Sequence, residues 1–152
     1  MWTTIVAVLG TILGGAVTGA LAHFSARSAR WDELDERRRS EAIDAVTALA
    51  RAASDHRRAM WMVREAQITG VDAERVRVLR DESHRTRSEI TEPSVRVQLL
   101  IESDAVRAVA HEAVHATYAM REAETLEALE DARAVALATH DLMVRTAGAY
   151  LA

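Results

Sequence analysis

The sequence lacks cysteine and lysine, and its 152 residues include only one proline and six glycines. Without cysteine, the protein cannot be a disulfide-stabilised domain, a cysteine-based zinc finger or an enzyme with a thiol nucleophile. The scarcity of proline and glycine excludes collagen-like and Pro/Gly-rich low-complexity chains. Only six residues are aromatic, and the length allows one small domain at most.

All 19 basic residues are arginine, and they are distributed unevenly along the chain. Residues 25–87 contain 14 arginines and 12 acidic residues, whereas residues 88–152 contain 5 arginines and 11 acidic residues. The first region therefore carries a net charge of +2 and the second a net charge of −6. Because the whole chain is acidic and dedicated nucleic-acid-binding domains are basic, no direct binding to nucleic acid is expected.

The first 24 residues carry no charged side chain, and residues 5–22 form an unbroken, mostly apolar run. As a helix, 24 residues would be roughly 36 Å long, and a bilayer core requires about 20 apolar residues. Trp2 precedes the run, and Phe24 and Trp31 follow it, as is typical of aromatic residues at the two headgroup zones. The run is predicted to be a transmembrane helix in contact with membrane lipid. A cleaved signal peptide is the alternative, but no basic residue precedes the run.

The arginines after the apolar run predict the orientation of the chain. Arg27 and Arg30 follow the run, as do the three consecutive arginines 37–39, and none precedes it. By the positive-inside rule, the amino terminus would lie outside the cell membrane and the remainder in the cytoplasm. The interface residues would be Trp2, Phe24, Arg27, Arg30 and Trp31. The predicted regions are a transmembrane anchor (1–24), an arginine-rich juxtamembrane helix (25–41) and a helical cytoplasmic domain (42–152).

Two small-xxx-small pairs lie within the apolar run, namely Gly10 with Gly14 and Gly15 with Gly19. Glycines at this spacing allow two helix backbones to approach closely in lipid, so these four residues are candidate packing positions. Glycine is also common in membrane helices in general, and this leaves a second interpretation open.

The rest of the chain has the pattern of an all-α protein. Residues 20–69 contain no proline or glycine and are rich in the good helix formers alanine, arginine, glutamate and leucine, with apolar residues every three or four positions. Gly70 is predicted to end this helix, and Asp72 to cap the next. Ser103 is predicted to open another helix, and Gly148 to end the last. The apolar stripe of the first helix comprises Ile43, Val46, Leu49, Ala50, Ala53, Met60 and Val63.

Residues 94–101 are ambiguous because their apolar residues alternate with period two. A lone strand is not stable, so a helix is favoured over a strand here. The predicted architecture is an antiparallel helical hairpin or small bundle resembling a coiled coil. Since most of its apolar residues are alanine and valine, the core would be thin, and a homo-oligomer is expected.

His111, Glu112 and His115 match the H-E-x-x-H pattern, in which two histidines on one helix face bind zinc and the glutamate acts as a general base. The alternative function is therefore a membrane-tethered zinc metallopeptidase, with Glu127 or Glu130 as a further ligand. The histidines, however, lie almost opposite the apolar stripe of their helix, and no third histidine follows at the usual spacing. We therefore expect no metal, no cofactor and no catalysis. That stripe comprises Val106, Val109, Ala113, Thr117 and Met120.

His56 is the remaining histidine with a suggestive neighbour, Asp55. Consecutive helical residues point about 100° apart, so Ser54, Asp55 and His56 cannot form a catalytic triad. The pair is interpreted as a surface salt link, and the adjacent Arg57 and Arg58 as a solvated helix face.

Several segments together resemble the KilB/Spd-type spread proteins of conjugative plasmids in Streptomyces-like actinomycetes. These are Met1-Trp2, residues 5–11 (IVAVLGT), residues 54–61 (SDHRRAMW) and residues 116–121 (ATYAMR). The resemblance implies a small membrane protein that helps plasmid DNA to spread between hyphal compartments. It also implies other spread proteins, or a DNA-translocating ATPase, as partners. The predicted function is a self-associating, membrane-anchored helical scaffold. A generic membrane adaptor is the further alternative.

Overall fold

The computed structural model describes the backbone of residues 2–152 and the side chains of residues 30, 31 and 33–152. This part of the chain is helical and contains no strand. It divides into two compact units, residues 1–38 and 39–152. The helices are α1 (Trp2–Ile68), α2 (Ala73–Glu89), α3 (Thr91–Leu100), α4 (Asp104–Ala119) and α5 (Leu126–Leu151), with a 3₁₀ turn at Met120–Glu122.

Local sequence signals explain most of the helix ends. Gly70 has a φ of 71°, a left-handed conformation that glycine adopts without steric cost and that ends α1. The Asp72 carboxylate accepts a hydrogen bond from the Arg75 amide at 3.0 Å and so caps α2. Ser103 caps α4, as predicted. The prediction that Gly148 ends the last helix is wrong, because one glycine costs a helix only about 1 kcal/mol.

The ambiguous segment 94–101 is helical, as favoured from the sequence. α3 begins directly after Ile90 and continues to Leu100, and Ile101 is extended. Pro93 lies in the first turn of α3, where its missing amide hydrogen has no intrahelical acceptor to lose. Val97 and Ile101 are fully buried, so this short helix closes one end of the core.

The core of residues 39–152 consists of two hydrophobic clusters at opposite ends of a packing of α1, α4 and α5, in which α1 and α4 run parallel and α5 runs antiparallel to both. The start of α4 packs with the end of α5 in one cluster, and the end of α4 with the start of α5 in the other. Alanine supplies 12 of the 24 buried hydrophobic residues that the structure describes. Such small side chains let helices pack closely but bury little area each. Arg39 also donates hydrogen bonds to the Leu151 and Ala152 carbonyl oxygens, at 2.7 and 2.9 Å.

The predicted membrane topology requires correction. Within the described residues, none of the helices has the length and apolar character needed to cross a bilayer. A spanning helix needs about 20 predominantly apolar residues. The described α1 residues from Arg30 to Arg39 are instead exposed and mostly charged. Among them, Arg37 forms an ion pair with Glu33 at 3.3 Å. The predictions of a single-pass transmembrane helix, a membrane localisation and an outside amino terminus are therefore wrong for this part of the chain.

The residues on which that prediction rested lie outside the described side chains. They are the segment 1–24 with Trp2, Gly10, Gly14, Gly15, Gly19 and Phe24, together with Arg27. Arg30 and Trp31 are described, and both are exposed, Trp31 to 57%. Their suggested roles in helix packing and at an interface stay predictions.

Candidate functional site

The H-E-x-x-H residues lie on the solvent side of α4. The His111 and Glu112 side chains are about 70% exposed, and the His111 and His115 rings stack with centroids 6.1 Å apart. Ala110 and Ala113 are buried on the other side of the helix, as the apolar stripe predicted. No group of three or more histidine and acidic side chains that could hold a metal ion exists among the described residues. Neither Glu127 nor Glu130 therefore completes a zinc site with these histidines.

A different feature of the molecule has the form of a binding site, a cavity of about 390 Å³ between α1, α2 and the end of α4. Its volume lies within the usual range for small-ligand pockets. Four arginines and two histidines line it, and no carboxylate does so among the described residues. The lining residues are His56, Met60, Val63, Arg64, Gln67, Arg80, Ser83, His84, Arg87, Tyr118 and Arg121.

The arginines of α2 that line the cavity differ from those outside it in whether they form ion pairs. Arg77 and Arg85 each follow a glutamate by three residues and pair with it, at 2.6 Å in both cases. Arg80 and Arg87 have no acidic residue three or four positions away, and neither forms an ion pair within the part of the chain described. Because side chains at these spacings are neighbours on a helix, α2 presents unneutralised arginines to the cavity.

His56 lies at the inner wall of this cavity and is only 2% exposed. Its Nδ1 is 3.0 Å from the Thr86 hydroxyl oxygen, and that hydroxyl donates to the Ser83 carbonyl oxygen at 3.1 Å. Nδ1 therefore carries the hydrogen, and Nε2 is an acceptor with no partner in the described structure. Burial, reinforced by the positive charge of Arg87, lowers the His56 pKa from 6.5 to about 4.

This environment contradicts the interpretation of His56 as a surface partner of Asp55. The imidazole faces the core, whereas Asp55 pairs with Arg58 at 3.4 Å. A sequence signal was present, because His56 continues the three- and four-residue spacing from Ala53 to Met60. The position of a histidine on an apolar helix stripe is therefore a better guide to its environment than the residue next to it in sequence.

Other contacts hold the cationic side chains around the cavity. The Arg64 guanidinium donates to the Gln67 side-chain oxygen at 2.7 Å and to the Ala123 carbonyl oxygen. Its Nε is buried and has no partner within the described residues. The Arg87 guanidinium lies 5.0 Å from the centre of the Tyr118 ring, in the range of a cation–π contact. Arg64 and Arg87 are therefore positioned by contacts other than ion pairs.

A second arginine cluster lies around Trp61, next to a shallower groove. The Arg133 guanidinium lies 5.0 Å from the centre of the Trp61 ring. Arg57 is partly buried, not fully solvated as predicted, and this burial, together with the positive charge of Arg133, lowers the Arg57 pKa. Asp55 is part of this groove and partly neutralises it. The α1–α2–α4 cavity is thus the more strongly cationic of the two.

Comparison with known proteins identifies the family of this chain. The family model described as KilB plasmid transfer protein matches residues 43–151, which include all the cavity residues and α5. Protein KilB of Streptomyces lividans is 42% identical over 147 residues, which cover 97% of this chain and 96% of that protein. No solved structure matches the chain. The resemblance noted in the sequence is thereby confirmed, and the chain belongs to the KilB family of plasmid transfer proteins.

Proposed function

We propose that this protein acts in plasmid transfer as a non-enzymatic helical scaffold that self-associates through α5. Family membership supports the role in plasmid transfer. The observation that carries the scaffold role is a second, exposed heptad pattern on α5. Other spread proteins and a DNA-translocating ATPase are further proposed partners, as the family resemblance implies.

One face of α5 packs inside the protomer. Leu129, Ala136 and Met143 are fully buried at seven-residue intervals, and Ala147 continues this face. Because α5 is buried along one narrow stripe, most of its circumference is free for other contacts.

A second face of α5 is exposed to solvent and also has apolar residues at heptad spacing. Large apolar residues at its centre, Val135 and Leu142, are 57% and 44% exposed. A three–four alternation of this kind is the pattern of a coiled-coil seam. We define the outer seam as Ala128, Asp131, Val135, Ala138, Leu142, Arg145 and Ala149, all of which are exposed.

The outer seam is complementary to itself in an antiparallel arrangement. With Ala138 near the two-fold axis, Val135 of one copy lies opposite Leu142 of the other. Asp131 then lies opposite Arg145 at both ends, so the apolar centre is flanked by two ion pairs. A parallel arrangement would instead place like charges together, which is unfavourable. These features favour a second copy of the chain, related by two-fold symmetry, as the occupant.

Sedimentation velocity across a concentration series tests this proposal. The wild type is expected to dimerise, and Val135→Glu with Leu142→Glu to remain monomeric with unchanged helical circular dichroism. Leu137→Glu is the matched control, because Leu137 is also exposed on α5 but lies outside the outer seam, and it should still dimerise. A wild type that stays monomeric at high concentration, or a control that dissociates equally, would contradict the proposal.

A charge reversal tests the antiparallel orientation. Asp131→Arg should weaken the dimer, and adding Arg145→Asp should restore it, because each pair then has opposite charges again. Exposed pairs contribute only about 0.2–1 kcal/mol each, so the comparison needs dissociation constants rather than a single elution profile. A plasmid-transfer assay with the monomeric Val135→Glu, Leu142→Glu protein then links the dimer to function, and normal transfer by that variant would contradict the scaffold role.

A further inference from the structure

We propose that the α1–α2–α4 cavity is a binding site for a small molecule that carries two or more phosphate groups. Nothing in the family description or in the proposed scaffold function requires such a ligand. The proposal rests on the charge of the cavity, on two unsatisfied buried atoms and on the shape of the recess.

The charge of the cavity exceeds what a single anionic group would neutralise. Arg64, Arg80 and Arg87 form no ion pair within the part of the chain that the structure describes. Arg121 has one exposed partner, Glu122, at 3.6 Å. Guanidinium groups bind phosphate oxygens through paired hydrogen bonds. A single carboxylate would leave most of these four charges without a partner, whereas a diphosphate carries enough negative charge for them.

Two buried atoms supply hydrogen-bonding capacity that the protein itself does not use. The Arg64 Nε is a free donor and the His56 Nε2 a free acceptor, and both residues line the cavity. Buried polar atoms are nearly always satisfied by protein, water or ligand. A ligand with two phosphate groups carries oxygens that accept from an arginine donor and, when partly protonated, a hydroxyl that donates to a histidine acceptor.

The shape of the site favours a small molecule over a nucleic-acid backbone. The cationic groups surround a recess with an apolar wall, formed by Met60, Val63 and Tyr118, instead of extending along a convex surface. The net charge of the chain is −4, which opposes association with a long polyanion.

Calorimetric titration of the 152-residue protein with inorganic pyrophosphate, at near-physiological salt, tests the proposal. Saturable binding with one site per chain is expected. The double variant Arg80→Gln, Arg87→Gln should weaken binding by about tenfold or more, because each lost guanidinium removes a charge-assisted hydrogen bond. The matched control is Arg77→Gln with Arg85→Gln, which removes the same charge from α2 outside the cavity and should bind as the wild type does.

Several outcomes would overturn the inference. These are no saturable binding of pyrophosphate, an equal loss in the control, or sulfate binding as tightly as pyrophosphate. A duplex DNA mobility shift that depends on Arg80 and Arg87, without pyrophosphate binding, would overturn it in favour of nucleic acid. Circular dichroism confirms that each variant is folded. Repeating the titration with the Val135→Glu, Leu142→Glu protein shows whether ligand binding depends on self-association. This variant is expected to bind pyrophosphate with unchanged affinity.

Discussion

Histidines in two regions of this protein lie in opposite environments. His111 and His115 belong to a well-known zinc-binding pattern, yet they lie on an exposed helix face. His56 belongs to no motif, yet it is buried and has a strongly lowered pKa at the wall of a cationic cavity. The comparison shows that the chemistry of a histidine depends on which groups surround it in space, and much less on the residues adjacent to it in sequence.

Replacing His56 should destabilise the protein far more than replacing His111. His56→Ala should lower the free energy of unfolding by about 3 kcal/mol, because it leaves a cavity and removes the hydrogen bond to Thr86. His111→Ala should change it by less than about 0.5 kcal/mol, as is usual for exposed positions. Urea denaturation at pH 7 measures both variants. Similar losses in the two would contradict the assigned burial.

A smaller effect should appear as a pH dependence of stability. The folded protein does not protonate His56 until about pH 4, whereas the unfolded chain does so near pH 6.5. Protons therefore favour unfolding between these values, and the stability contributed by neutral His56 is complete above pH 6.5 and falls as the pH decreases. At pH 5 the loss should be roughly 2 kcal/mol. The charged and titratable groups that share the cavity with His56 are Arg64, Arg80, His84, Arg87, Tyr118 and Arg121.

Urea denaturation at pH 7 and pH 5 measures this loss, with His56→Gln as the reference. Glutamine keeps a polar side chain but does not titrate, so the difference between the two proteins isolates the histidine from the acidic residues. An identical pH dependence in His56→Gln and the wild type would show that the buried imidazole is not the group responsible.

Zinc should have almost no effect on the stability of the protein. Two histidines without a third ligand bind zinc weakly, so equimolar zinc should leave the melting temperature unchanged in the wild type and in His111→Ala. Thermal melts with and without zinc measure this. Stoichiometric zinc that stabilises the wild type and is lost in His111→Ala would reverse the comparison and restore the metallopeptidase alternative.

Features encoded over a few residues were predictable from the sequence. The end of α1 near Gly70 and the caps at Asp72 and Ser103 depend on backbone conformation and hydrogen bonds within a single turn. The preference for a helix over residues 94–101 was likewise correct. The same local reasoning failed at Gly148, where packing of Ala147 in the core stabilises the helix beyond the glycine.

The cavity was not predicted, since its parts are distant in sequence. His56 lies on α1, Thr86 and Arg87 on α2 and Tyr118 on α4. A partial signal existed in α2, where Arg80 and Arg87 lack the acidic partners that Arg77 and Arg85 have. Without knowing which face of α2 packs toward α1, that difference could not be interpreted as a site.

Helix propensity, capping and residue identity are properties of short segments, so the helical character of the described chain, most helix ends, the alanine-rich core and the family could be read from the sequence. The folded structure alone shows that His56 lines a cavity with four arginines, whereas the apolar stripe of α4 already indicated that the H-E-x-x-H residues face solvent. The charges around His56 come from α1, α2 and the turn after α4, and these elements meet only when distant helices pack together.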